Sequence, residues 1–400
     1  MGKRKILISC MGLYDGGGID SALVNLIYAL HEKYEITLFL AGRYHTSRYP
    51  LPDDVTVLKG SSYMHDVGVI RKWQREQGFF RRILRNLRRI FKSYLFKDRA
   101  IEWALDRLEI PGEYDVAIAF ADYLYNIGGM KSYDFYIVLN RVNARRKIAW
   151  NHNNPAKLGW TKDFCESRLA GLDAIVSVSE TNRRIFSEIA PSLKDRFRVV
   201  YNFYDIDKIR RDGAEEMKCF VSAGKLKLVT VSRAVIDCKR LDRVIRVCRR
   251  LKDEGICGIE WLIVGDGDDL EKLKRMAHDA GVEDMVRFAG WQKNPYPYMK
   301  QADALVISSE FEAFPMVVRE AEVLGTPVLT TRYPSAHEAV EDGVSGEICV
   351  NSTDGLYEMI KGIFYGRDRL ATYRDYLVNH PVDNTTAARQ FDEACFPEGA

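Results

Sequence analysis

Two glutamates separated by seven residues, Glu312 and Glu320, stand in the window Ser308-Ser-Glu-Phe-Glu-Ala-Phe-Pro-Met-Val-Val-Arg-Glu-Ala-Glu-Val-Leu-Gly325. Pro315 near the start and Gly325 past the end bracket a short helix of two to three turns. That places Glu312 in the loop before the helix and Glu320 one turn inside it, on the face shared with Met316. One carboxylate can then reach the reacting end of a ligand while the other grips a neighbouring diol. The free N–H groups of Met316 and Val317 lie between them, available to phosphate oxygens. The plainer alternative makes Glu320 a surface residue paired with Arg319 or Arg332.

Upstream, Val231-Ser-Arg233 ends a strand and a loop leads to Lys239-Arg240-Leu241-Asp242. A planar Arg233 fork and a compact Lys239 charge at one strand edge can clamp a diphosphate. A solvated loop with pairs to Asp237 or Asp242 is the competing reading. Nearer the start, Gly12 and Gly16-Gly17-Gly18 follow the first strand and lead into a helix from about Asp20 to Lys33. Gly17 and Gly18 leave room for an anion at the helix start. The dinucleotide fingerprint fails because Ser21 occupies its last glycine position, so a simple tight turn stays open. His152, in Trp-Asn-His-Asn-Asn-Pro, follows a strand end, although a lone histidine is more often structural. Asp205-Ile-Asp207 and Asp266-Gly-Asp268 have the spacing of a metal-holding pair, and spacing alone leaves a divalent ion open.

The elements that must position these groups alternate between short apolar runs and amphipathic stretches, the pattern of parallel sheets covered by helices. Strands are predicted at 4–10, 35–40, 55–58, 115–120, 147–151, 174–178 and 198–201, then at 226–232, 260–264, 286–289, 304–308, 328–331 and 347–350. The fold class is α/β, two Rossmann-like domains facing a cleft at the carboxyl ends of their strands. The first domain spans 1–205, the second 206–375, and a helical tail over 376–400 returns towards one of them.

Composition narrows the class further. Of 400 residues, 46% are apolar and 29% charged, which excludes disordered and fibrous chains. Eight cysteines show no C-x-x-C pair or zinc spacing, so a reducing cytosol fits best. The apolar stretch after Lys3-Arg4-Lys5 is too short for a signal peptide, and no window reaches the length of a membrane span. Residues 71–99 carry eleven Lys and Arg against Glu76 and Asp98. Within that segment, apolar positions at helical spacing alternate with Arg81, Arg82, Arg85, Arg88, Arg89 and Lys92, predicting a basic amphipathic helix suited to an anionic membrane. Packing on the first domain with a solvated basic face is the alternative. No nucleic-acid-binding motif is present.

Glu312-Ala-Phe-Pro-Met-Val-Val-Arg-Glu320 resembles the E-x7-E signature of retaining glycosyltransferases, in particular glycosyltransferase family four with its two-Rossmann GT-B fold. The Gly17-Gly18 loop, Trp150-Asn-His152, Asn202, Ser232-Arg233 with Lys239, Val264-Gly-Asp-Gly267 and Gly290-Trp-Gln-Lys-Asn294 agree in order and spacing. The resemblance implies that Arg233 and Lys239 neutralise a donor diphosphate and that Glu320 binds ribose hydroxyls. It implies that Glu312 and the Phe314–Val317 backbone hold the donor sugar and distal phosphate, that Gly17 and Gly18 approach the diphosphate, and that His152 stands near the sugar. Residues near Trp291 and Gln292 would see the base. It further implies a nucleotide-sugar donor (UDP-sugar, with GDP-mannose next), no required cofactor or metal, and a glycan or lipid-linked acceptor. The expected setting is cytoplasmic, peripheral at the inner face of the membrane, in surface-polysaccharide or glycolipid assembly. Two departures stand out: Ala313 replaces a frequent glycine, and Tyr201-Asn-Phe-Tyr-Asp205 replaces a common Asn-Pro-containing hinge. A nucleotide-sugar epimerase on the same scaffold and a catalytically silent nucleotide- or glycan-binding protein are the rival readings.

Overall fold

A computed structural model describes residues 2–10, 12–13, 17–41, 49–60, 105–120, 133–156 and 159–397; the basic segment 71–99 lies outside them. The chain divides into two compact units. One takes the described residues of Met1–Ser177, Ile185–Val200 and Gln390–Ala400, the other Val178–Arg184 and Tyr201–Arg389.

In the first unit the strands are β1 (Lys5–Cys10), β2 (Glu35–Leu40), β3 (Thr56–Lys59), β4 (Glu113–Ala119), β5 (Asn143–Asn151), β6 (Ala174–Ser177) and β7 (Phe197–Val199). They form one parallel sheet in the order β3-β2-β1-β4-β5-β6-β7. β1 and β2 are buried at five of six positions, as near-continuous apolar runs must be when helices cover both faces. β5 starts four residues before the predicted Lys147, because Asn143 and Ala144 pair with Glu113 and Tyr114 despite their polar surroundings. Backbone pairing, rather than burial, carries that end. The last helix, Thr385–Cys395, closes this core from Gln390 onward: Phe391 packs on Tyr34 and Trp150, and the Arg146 guanidinium donates to the Ala394 carbonyl at 3.0 Å.

The second unit contains β8 (Leu226–Val231), β9 (Ile259–Val264), β10 (Val286–Gly290), β11 (Ala304–Ile307), β12 (Val328–Thr331) and β13 (Gly346–Cys349), all parallel in the order β10-β9-β8-β11-β12-β13. The helix Leu241–Asp253 shows how the sequence builds it. Leu241, Val244, Ile245, Val247, Cys248 and Leu251 fall on one stripe and all are buried against the sheet, with Trp261 and Tyr357 in the same core. Each predicted strand is present in this order.

Both strand orders reverse once, between β1 and β4 in the first unit and between β8 and β11 in the second. In open parallel sheets the loops leaving the carboxyl ends at such a reversal diverge and leave a crevice for ligands. The loops after β8 and β11 carry Arg233, Lys239 and Glu312. The loop after β1 carries Gly17.

Candidate active site

Lys239 and Glu312 meet at the β8–β11 reversal, Nζ to Oε1 at 2.6 Å, with only 19% and 13% of their side chains exposed. Lys239 closes a short turn, Ile236–Lys239, and Glu312 lies in the loop after β11. Several bonds fix their approach. The Glu310 N–H donates to the Cys238 carbonyl at 2.9 Å, and the Ser308 hydroxyl donates to the Lys239 carbonyl at 2.8 Å. From the other side, the Thr331 hydroxyl holds the Ser309 carbonyl at 2.6 Å and the Ser335 hydroxyl holds that of Ala313 at 2.7 Å. Ser309 also donates to Glu312 at 2.6 Å, so the carboxylate is oriented by a hydroxyl as well as a cation. Asp242, the partner offered by the plainer sequence reading, is taken instead by Arg240 and Arg246.

Beneath this pair lies a charge network that sequence reasoning missed. Glu310 accepts from Arg240 at 3.0 Å and from the buried Arg243 at 2.6 Å, and Arg243 also donates to the Ser308 carbonyl. Arg240 sits in the left-handed region at φ +50°, a conformation L-residues rarely adopt, held there between the two carboxylates of Asp242 and Glu310. Nothing in local sequence marks an arginine for that role.

Arg233 is exposed, and among the described residues no carboxylate or hydrogen-bond acceptor engages its guanidinium. Its loop is nonetheless rigidly seated. Ala234 N–H donates to the Asp266 carbonyl at 3.0 Å, and the Asp269 carboxylate accepts from Ile236 N–H at 2.8 Å. A side chain on Gly265, at φ +141°, would place Cβ 1.9 Å from the Ser232 carbonyl oxygen. Val264-Gly-Asp-Gly267 is therefore a backbone-to-backbone seat for the arginine loop. Its Asp266 accepts from the adjacent Gly267 N–H at 2.7 Å, and Asp205 caps the helix Ile206–Gly213 through Lys208 N–H. One aspartate of each D-x-D pair thus has a local structural partner.

The helix Met316–Val323 begins at Pro315, and no side chain caps its N-terminus. Phe314 is buried there and stacks on Tyr201 with ring centroids 5.5 Å apart. Met316 is buried and Val317 partly so, and this first turn follows directly on the loop that carries Glu312. Glu320 is not a surface residue paired with Arg319 or Arg332: it is buried, and Arg319 pairs with Glu322 at 2.5 Å. Burial pushes the Glu320 carboxyl up to about 7, with the Lys208 charge and the Tyr296 hydroxyl acting in the opposite direction. Because its folded pKa lies above the unfolded value, stability is full below about pH 4.5 and is lost as pH rises through 7. Glu320→Gln is therefore expected to raise the melting temperature by several degrees at pH 8 and to leave it nearly unchanged at pH 4. Equal melting at both pH values would refute the buried-carboxyl assignment. Trp291, after β10, is 56% exposed.

In the first unit, Gly17 is the N-cap of the helix Gly18–Leu30, and among the described residues nothing lies within 4 Å of where a Cβ at Gly17 would stand. His152 follows β5 and is buried, its ring 4.5 Å from Phe120 and stacked on Trp150. Burial pushes its pKa down to about 3, against the Phe120 backbone, so the imidazole is neutral at any physiological pH. Its capacity is that of a hydrogen-bonding group rather than a cation.

Chemically, the second unit offers two cations, an oriented carboxylate, an uncapped helix start and a buried carboxyl one turn further on. That set suits a ligand with phosphates at one point and hydroxyls on either side.

Comparison with known proteins agrees with this composition. Residues 215–366 match the family described as "Glycosyl transferases group 1". The chain is 28% identical over 177 residues to the lipopolysaccharide core biosynthesis glycosyltransferase LpsE of Rhizobium meliloti, covering 42% of this chain and 48% of that protein. It is 28% identical over 190 residues to the N-acetyl-alpha-D-glucosaminyl L-malate synthase of Bacillus anthracis, covering 46% and 48%. The chain spans about half the length of the curated relatives it matches. Among solved structures, Anabaena Alr3699/HepE in complex with UDP and glucose aligns with TM-score 0.68 at 16% identity, over 98% of each chain. TarM aligns with TM-score 0.68 at 12% identity, over 98% of this chain and 99% of that one. These likenesses establish the GT-B fold of two Rossmann-like units.

Proposed function

We propose, taking the glycosyl transferases group 1 domain at residues 215–366 as the premise, that this protein is a retaining, metal-independent glycosyltransferase. It moves a sugar from a nucleotide-sugar donor, UDP-sugar first and GDP-mannose second, to a glycan or lipid-linked glycan of the cell surface. The observation that carries this reading is the Lys239–Glu312 pair at 2.6 Å, set where the strand order reverses, with the exposed Arg233 in the same loop after β8. HepE, which shares the fold, has been solved with UDP and with UDP-glucose, and several relatives are named for lipopolysaccharide synthesis.

Breaking a glycosyl–phosphate bond leaves charge on the departing diphosphate and a cationic sugar. In this reading Arg233, Lys239 and the N–H groups of Met316 and Val317 neutralise the diphosphate. Glu312 and the Phe314 backbone hold the sugar, Glu320 accepts from the ribose hydroxyls, and Trp291 lies against the base. In the first unit, Gly17 and Gly18 offer backbone N–H groups to phosphate, and neutral His152 gives a hydrogen bond to a sugar hydroxyl. The departing phosphate oxygen takes the acceptor's proton, so no cofactor is needed. Residues 71–99 supply the membrane contact at the cytoplasmic face.

The test is a thermal-shift and hydrolysis screen of UDP-, GDP-, ADP- and CDP-sugars, with and without EDTA. One donor, at about a hundred times its Kd, is expected to stabilise the protein by roughly 2.7 kcal/mol and to be hydrolysed slowly, insensitively to EDTA, with retained anomeric configuration. Stabilisation by no donor would count against the transferase reading, and EDTA-sensitive turnover against metal independence.

A further inference from the structure

A cavity of about 510 Å³ opens in the second unit between the start of β8 and the helix Asp368–Asn379, at the amino end of the sheet. It lies at the opposite end of β8 and β11 from Arg233 and Glu312, about 17 Å of strand away. Its walls include Lys225, Lys227, Lys300, Arg367 and Arg374 against only Asp303 and Asp375. None of these five cations forms an ion pair with a carboxylate among the described residues. Asp303 accepts instead from the Lys227 backbone N–H at 2.8 Å.

Four of the cations are held in place by neutral groups, and Lys300 is exposed. Arg367 donates to the Gly224 and Gly258 carbonyls at 3.1 and 3.3 Å, Arg374 to the Ala302 carbonyl at 3.0 Å, and Lys225 to the Asp284 carbonyl at 3.2 Å. The Lys227 ammonium lies 5.9 Å from the centre of the Phe220 ring. Carbonyls and a ring fix direction without cancelling charge, and Lys225, Lys227, Arg367 and Arg374 are each only partly exposed. Five cations against two carboxylates on the walls leave a net positive concavity, which favours an incoming anion. The volume is that of a small-molecule site, and recessed charges in a concavity suit a dissolved solute better than a flat bilayer.

We propose that this cavity is a second binding site for a small solute bearing two or more phosphoryl groups, distinct from the donor site at the other end of the sheet. The inference stands on the cavity alone and does not depend on the proposed transferase activity.

Inorganic tripolyphosphate is the probe, titrated calorimetrically into the 400-residue chain at 150 mM salt. Wild type and a charge-matched surface control, K272Q/K274Q, are expected to bind within about twofold of one another, and Lys239→Ala is expected to lose the donor-site component of the binding while keeping the component that K225Q/K227Q weakens. K225Q/K227Q is expected to bind at least tenfold more weakly, the loss of one or more charge-assisted hydrogen bonds, with its melting temperature verifying the fold. Undetectable binding by wild type would overturn the proposal. Equal weakening in both double variants would reduce the cavity to diffuse charge, and loss of all binding in Lys239→Ala would place the probe in the donor site alone; either would overturn the proposal. Phosphatidylcholine vesicles with 30% phosphatidylglycerol form the second arm. Vesicle binding that K225Q/K227Q abolishes, with tripolyphosphate binding unchanged, would assign the cations to lipid and likewise overturn it.

Discussion

Lys239→Ala is expected to lower donor turnover by about a hundredfold to a thousandfold, the range seen when one preorganised charge-stabilising group is lost. The loss should fall on kcat more than on KM, because the charge that Lys239 meets grows as the glycosyl–phosphate bond breaks. The same change removes the cation 2.6 Å from Glu312 and leaves that carboxylate with the Ser309 hydroxyl. A stability cost of order 1–3 kcal/mol therefore accompanies the kinetic one. A double variant separates the two effects. Adding Glu312→Gln should restore part of the stability, since no carboxylate is then left without its cation, but none of the turnover. Steady-state kinetics and thermal melts of the single and double variants make the comparison, and wild-type turnover in Lys239→Ala would sink the assignment of this site.

Gly265→Ala is expected to be at least as damaging, although it changes no group that could touch a ligand. Two costs coincide there. The residue sits at φ +141°, where side chains are strained, and the new Cβ would lie 1.9 Å from the Ser232 carbonyl oxygen, so backbone must move. The strand-to-loop segment Ser232-Arg233 is what moves, carrying the exposed arginine with it. We expect destabilisation of about 3 kcal/mol or more and a rise in donor KM. Gly255→Ala is the matched control: its φ is +78°, but a Cβ there meets nothing within 4 Å. It should cost only the left-handed penalty of about 1–2 kcal/mol, with unchanged KM. Similar effects at the two glycines would show that backbone conformation alone, and not the seating of the arginine loop, is at stake.

These two residues also mark how differently parts of the site were legible. Lys239 stood out as a cation at the edge of a readable strand. Gly265 was visible as part of Val264-Gly-Asp-Gly267, but the oxygen that forbids a side chain belongs to Ser232, thirty-three residues earlier and on the neighbouring strand's loop. Ser309, Ser335 and the Arg240–Glu310–Arg243 network gave no local signal, since serines and surface charges with such sequence neighbours occur in most loops.

Periodicity alone was enough for thirteen short apolar runs that form two parallel sheets, for the apolar stripe of Leu241–Asp253, and for a helix bounded by Pro315 and Gly325. Burial and backbone geometry along a few consecutive residues dictate those, so a local pattern suffices. Which charges meet follows from the three-dimensional arrangement instead. It turned Lys239 to Glu312 rather than to Asp242 and gave Arg319 to Glu322. It buried Glu320 deeply enough to hold its proton to about pH 7 and kept His152 neutral against Phe120. Partner choice and protonation depend on distance and desolvation. Both are set when a strand order such as β9-β8-β11-β12 brings together loops that lie far apart in the chain.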